Sequence, residues 1–264
     1  MENINENLNR QPLSEVARLC LTAGRMLLEW GANARVVHEA ISDLGNGFGC
    51  DSAEAFCQHA AIIVMLRRGE DACSQMGKVG EHGVNLRRIH KLQEIITLVT
   101  RGELSCAQAQ LLMEGVPKAT KSYPVWFVCL ATGIACSAFG RLLHADWSAF
   151  LPTMVAAGTG QWIRHELIRR GANIFLMAGI VSFVAASLAA IGGRLAGSVN
   201  LQLAMVAAVL LLVPGIPVLN AQIEVIEGKP NLAAARALRI AYLLLFMSLG
   251  LALAQSLFIR NPLP

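Results

Sequence analysis

From residue 122 onward the chain contains five long stretches without an Asp, Glu, Lys or Arg: 122–140, 147–163, 171–193, 195–223 and 240–259. Their lengths are 19, 17, 23, 29 and 20 residues, and an α-helix needs roughly 17–25 to cross the hydrocarbon core of a bilayer. A single charge at mid-bilayer costs on the order of 3 kcal/mol, so these stretches constrain the fold more than average hydropathy does. Before residue 122 the longest such stretch, 55–66, has 12 residues and is too short to span. Charge divides the chain at the same place. Residues 1–122 carry 13 Lys/Arg and 14 Asp/Glu, whereas 123–264 carry 9 and 4. The expected fold is an α-helical polytopic membrane protein of five transmembrane helices behind a small N-terminal cytosolic α+β domain. The cytosolic domain covers 1–121 and the membrane domain 122–264, with spans at about 122–142, 147–164, 172–193, 199–223 and 238–259. Met1 to Pro12 is polar, so no cleavable signal is expected.

Basic residues orient the spans. Lys118 and Lys121 precede the first, Arg164, Arg169 and Arg170 follow the second, and Lys229, Arg236 and Arg239 lie between the fourth and fifth. The opposite loops hold only Arg141, Arg194 and Arg260. The positive-inside rule therefore predicts a cytoplasmic N-terminus, and an odd span count puts Pro264 on the outer, periplasmic face. The seven cysteines form no CxxC pair and show no ligand spacing with the six histidines, so no metal site is expected. The net charge of +4 is mostly this loop bias and does not indicate nucleic acid.

In the first half, Val16, Leu19, Cys20, Ala23 and Leu27 have the spacing of an amphipathic helix over 14–30, which Gly31 ends. A second helix over about 33–44 buries Val36, Val37, Ala40 and Ile41 and is expected to stop at Gly45, Gly47 and Gly49. Strands are predicted at 51–57, 60–67 and 72–79, with Arg68-Gly69-Glu70-Asp71 as the second turn of an antiparallel meander. Helices return at 84–100 and 103–114, the latter ending at Gly115 and Pro117. Asp51, Glu54, Arg35, His82, Asn85, Arg87 and Arg88 are the residues that could gather around an anion or a hydrolytic water. Nothing in their spacing fixes a nucleophile, base and orienting group together, so a solvated rim of charges is the simpler reading. Gly45, Gly47 and Gly49 lack the Lys-Ser/Thr of a phosphate-binding loop. No cofactor is expected.

The fourth span carries the most information. It contains Val213-Pro214-Gly215-Ile216-Pro217, followed by Asn220 and Glu224. Two prolines around a glycine remove backbone donors, and a break of that kind belongs against protein or a water-filled cavity. Broken helices expose N–H groups suited to a carboxylate substrate, although prolines also kink helices that bind nothing. Glu224 is either solvated at a helix end or a gating or proton-coupling group. Gln161 and Arg164, at the end of the second span, either anchor it at the interface or face a pore. In the second case Arg164 would attract an anionic substrate.

Several motifs occur in order along the chain: Leu27-Leu28-x-x-Gly31-Ala32-x-x-Arg35-Val36, Gly83-Val84-Asn85-Leu86, Tyr123-Pro124-x-Trp126, Leu212-Val213-Pro214-Gly215 and Asn220-Ala221-x-x-Glu224-x-x-x-Gly228. With them the chain resembles the threonine/serine exporter (ThrE) family, in particular the YjjP-like large subunit of its split form. Glu224 stands where an Asp is commoner. The resemblance implies export of small carboxylates, threonine and serine for fused members and C4-dicarboxylates such as succinate for split ones. It also implies a bacterial inner-membrane location and a separate small partner subunit of about five spans. The site residues expected are Pro214, Gly215, Pro217, Asn220, Glu224, Gln161 and Arg164 for substrate binding or gating. Arg35, Arg67, Asn85 and Arg87 are expected in a cytosolic vestibule, where the charge of the three arginines would draw anions in. No catalytic residue is assigned. The competing reading is a membrane-anchored hydrolase or regulatory scaffold using the N-terminal domain.

Overall fold

The computed structural model of the chain describes residues 11–58, 60–80, 83–120 and 123–260. Contacts divide it into two compact units, one of residues 1–121 with 215–237, the other of 122–214 with 238–264. The second half of the sequence thus contributes a segment to the first unit, beyond the stretch expected to form a cytosolic domain.

In the first unit, α1 (Leu13–Glu29) and α2 (Ala34–Gly47) form a hairpin. Asn33 caps α2 by accepting the Val36 amide at 2.9 Å. A three-stranded antiparallel meander follows, β1 (Ser52–Cys57), β2 (Ala61–Arg68) and β3 (Asp71–Lys78), in sheet order β1-β2-β3. Its register pairs Ser52 with Arg67 and Ala61 with Lys78. Ala53, Ile62, Val64 and Leu66 point to one face, which α1 and α2 cover, and are buried with Leu19, Leu27, Leu28, Ile41, Leu44 and Phe48. Gly45 does not stop α2. It lies inside the helix because a Cβ there would meet the Ala53 Cβ at 2.3 Å, so the glycine sets how closely helix and strand approach. The helix ends two residues past it, before Gly49 with φ of 71°.

The remaining helices of this region are α3 (Leu86–Thr100) and α4 (Cys106–Ala119). Ser105 and Gln108 close a capping box at the start of α4. The helix runs through Gly115 and Pro117, one turn past its expected end. Val116 is buried beside Met113 and Ala109, and Thr120 closes the turn by donating its amide and its hydroxyl to the Val116 carbonyl. Burial of that face outweighs the proline in the last turn.

The second unit contains α5 (Val125–Leu142), a 3-10 turn (Trp147–Ala149), α6 (Phe150–Arg169), α7 (Ile174–Leu195) and α8 (Leu201–Val209), which tightens to a 3-10 turn over Leu210–Leu212. After Val213 and Pro214, α9 (Gly215–Ile226) and the start of α10 (Pro230–Gln255) belong to the first unit, while α10 from Leu238 belongs to the second. Among the described residues three helices are long and apolar enough to cross a membrane: Val125–Leu142, Ile174–Leu195 and Pro230–Ile259. The broken pair Leu201–Leu212 and Gly215–Ile226 qualifies as a fourth. α6 does not join them, because its last turns carry Gln161, Arg164, His165 and Glu166.

Small residues hold the second unit together. A Cβ on Gly133 would lie 2.5 Å from the Met154 carbonyl, and one on Gly250 2.3 Å from the Gly179 carbonyl, so backbones are in near contact. The buried face of α7 includes Ala178, Ala185, Ala186, Ala189 and Ala190, and α6 buries Ala156 and Gly160. Two loops are tied by Asp146, whose carboxylate accepts from the Ser148 hydroxyl, the Ser198 hydroxyl at 3.0 Å, and the Val199 and Asn200 amides at 3.3 Å. These bonds, that from Ser148 foremost, hold its carboxyl at about 2.

Candidate functional site

The helix break lies where the prolines put it. Val213 is extended (φ −62°, ψ 120°) and donates its amide to Leu210, and Pro214 separates the last turn of α8 from Gly215. Gly215 opens α9 with no atom within 4 Å of where a Cβ would point. Pro217 falls in the first turn of α9, where a helix has no use for its missing N–H.

One turn further on, polar groups become buried. Asn220 is buried, and its Nδ2 donates to the Gly31 carbonyl at 2.8 Å. Glu224, on the same face of α9, is 0% exposed. Oε2 of Glu224 lies 3.1 Å from Nε of Arg236 on α10, which is itself 7% exposed. Neither carboxylate oxygen has a well-aligned donor among the described residues, so its charge is met by Arg236 and by the nearby Ala34 amide. Arg236 also donates from Nη2 to the Ala32 carbonyl at 3.2 Å. Cys57 on β1 is close enough to feel Lys229, Glu224 and Arg236, and burial pushes its thiol up to about 11. That thiol is protonated and unreactive at neutral pH.

Residues from two of the sequence motifs therefore meet here: Gly31-Ala32 from the first, and Asn220 with Glu224 from the last. In the sequence Arg236 stands out only as a positive-inside marker, and its pairing with Glu224 emerges from the structure. The sequence does hold a signal: the chain turns at Gly228 (φ 73°) between α9 and α10, with the rare acid Glu224 before that turn and the base Arg236 after it.

The other predicted residues sit elsewhere. Gln161 and Arg164 share a face of α6, with Arg164 Nη1 3.4 Å from Gln161 Oε1, and Arg164 is half-buried. Arg35 is exposed and paired with Glu39 at 2.8 Å. Asn85 caps α3, accepting the Arg88 amide at 3.1 Å. Arg67 on β2 and Arg87 in the first turn of α3 are exposed. His82, Lys121 and Pro264 lie outside the described residues. Among the described residues no cluster of three His, Cys, Asp or Glu could hold a metal ion.

Several bilayer-length apolar helices, one of them broken at a Pro-Gly, make this a multi-pass membrane protein. It belongs to the family described as "Putative threonine/serine exporter", which matches residues 18–258. The chain is 30% identical over 250 residues to a protein of Escherichia coli named "Probable succinate transporter subunit YjjP", covering 92% of this chain and 94% of that one. A Klebsiella aerogenes protein of the same name is 28% identical over 244 residues, with the same coverage of both chains. "Pheromone-regulated membrane protein 10" of Zygosaccharomyces rouxii is 28% identical over 188 residues, 67% of this chain but 18% of that protein. No solved structure matches the chain.

Proposed function

We propose that the chain is one subunit of a two-component exporter of small carboxylates in the bacterial inner membrane, working with a separate partner of about five spans. The observation that carries this reading is the helix interruption at Val213 and Pro214 in a chain of this family. An anchor for a soluble enzyme has no use for an interrupted span, whereas broken helices present backbone groups to a carboxylate. The two relatives named as succinate transporter subunits favour a C4-dicarboxylate over threonine or serine and favour a multi-subunit assembly.

In this reading α6 supplies a fifth span. Its 20 residues extend about 30 Å, the thickness of the hydrocarbon core. Five spans leave the N-terminus cytoplasmic and the C-terminus periplasmic. A second five-span unit in the opposite orientation would complete an inverted pair around a midplane site. Pro214, Gly215, Pro217, Asn220 and Glu224 form the gate, Gln161 and Arg164 face the path, and Arg35, Arg67, Asn85 and Arg87 line the cytosolic approach. Arg35, Arg67 and Arg87 are exposed there, and their charge would raise the local concentration of anions.

The test is efflux of labelled succinate, with threonine in parallel, from cells lacking their own exporter. The chain is expressed with and without its partner. Succinate efflux that requires both chains is the expected result, and efflux of neither compound despite correct insertion would overturn the reading.

A further inference from the structure

A helix ends with carbonyls that no intrahelical donor reaches. At the end of α1 four consecutive ones, on Glu29, Trp30, Gly31 and Ala32, all find partners. Glu29 and Trp30 accept the Gly83 and Asn85 amides at 2.8 and 2.9 Å. Gly31 accepts from Asn220 and Ala32 from Arg236, side chains 189 and 204 residues away in sequence. Gly31 has φ of 89°, and a Cβ on it would meet the Gly83 carbonyl at 2.6 Å, so only glycine builds this turn. The cation also suits the negative end of the α1 dipole.

Glu224 and Arg236 depend on each other, because removing one partner of a buried ion pair leaves the other charge uncompensated. The other groups facing Glu224 are Glu227 and Lys229 from the turn after α9, Cys57 from β1, and the Ala34 amide of α2. Lys229 is engaged by Glu227 at 3.6 Å, which leaves Arg236 as the dominant cation.

Resting on the exporter reading, we propose that Arg236 is a positioning residue for transport. It keeps Glu224 charged and, together with Asn220, fastens the segment after the helix break to the end of α1. The first helical hairpin is then part of the moving machinery. A displacement of α1 reaches Glu224 through the Ala32 carbonyl and Arg236, and loss of the Glu224 charge releases α10 from that turn.

The test uses the full chain and has two arms. In the first, hydrogen exchange in detergent is compared for wild type, Arg236→Gln and Arg236→Lys. Arg236→Gln is expected to speed exchange at least tenfold both at the Gly83 and Asn85 amides, which bond the α1 end, and in 215–226, while α3 beyond its first turn is unchanged. Arg236→Lys should show less than half that effect on a logarithmic scale. Acceleration confined to α10 would overturn the coupling.

In the second arm, efflux of labelled succinate is followed against pH with the partner present. Without the cation, Glu224 takes up a proton from water at higher pH, so in Arg236→Gln the acid limb of the profile should move up by about one unit. Arg236→Lys should keep the limb in place, and in a Glu224→Gln background Arg236→Gln should produce no shift. A profile of Arg236→Gln that superimposes on wild type after scaling for protein amount would overturn the positioning role, as would an equal shift in both backgrounds. Absence of efflux by wild type would strike the exporter reading itself, and the exchange arm would then decide the coupling alone.

Discussion

The two units are packed by opposite rules. In the first, the residues excluded from solvent are the large ones: Phe48, Leu19, Leu27, Leu28, Ile41, Leu44, Ile62 and Leu66. In the second, alanines and glycines fill most of the contacts around the buried Met177 and Met205, while Leu130, Phe139, Leu151, Ile180, Leu195 and Leu249 face outward. Water rewards burial of a large apolar side chain by about 1.5–3 kcal/mol. Lipid gives no such reward, so cohesion comes from backbones brought close enough for van der Waals contact. The same amino acid therefore has different value in the two units, and a leucine is structural in one and a solvent-facing group in the other.

The sharpest way to break this comparison is at the backbone contacts. Gly250→Val puts a side chain where the Gly179 carbonyl already lies 2.3 Å from a Cβ position. We expect loss of nearly all monodisperse protein after detergent extraction. Gly115→Ala is the control, since nothing lies within 4 Å of its Cβ position in α4, and it should be neutral or gain about 0.5 kcal/mol. Next in size, Leu27→Ala in the first unit should cost about 2–5 kcal/mol in denaturant unfolding. Leu130→Ala, at an outward position of α5, should cost only a few tenths of a kcal/mol. Equal losses at the two leucines would mean that the units do not differ as described.

The smallest effect expected is at the loop tie. The Asp146 carboxyl titrates near 2 when folded, below the roughly 3.9 of a free aspartate. A depressed value contributes stability that is complete above about pH 4 and disappears as the pH falls through 2. Asp146→Asn should therefore melt earlier than wild type at neutral pH, and the two melting curves should converge between pH 4 and 2.

Much of the first unit was legible because period-2 and period-3.6 patterns are local. The α1 and α2 faces and the three strands follow from apolar spacing within a few residues. Glycines were harder to read: Gly45 looks like a helix stop in sequence, yet it is there to admit Ala53 of a strand that follows later in the chain. Four of the five charge-free stretches fall on bilayer-length helices or the broken pair, the stretch 147–163 runs into the polar end of α6 instead, and Pro214 marks the break. What remained hidden was the destination of 215–237, since no local pattern says that Asn220 will bond Gly31 or that Arg236 will bond Ala32. Glu224 stands out for its rarity among apolar residues, but its partner does not, because a basic residue after a span has a sufficient explanation in orientation alone.

The turn at the end of α1 also dictates an order of events during synthesis. Ala32 leaves the ribosome 204 residues before the guanidinium that completes it. At roughly 5–20 residues per second that is roughly 10–40 s. Glu29 and Trp30 gain the Gly83 and Asn85 amides early in that interval, but Gly31 and Ala32 wait for Asn220 and Arg236, so the first part of the protein to be made is among the last to be finished.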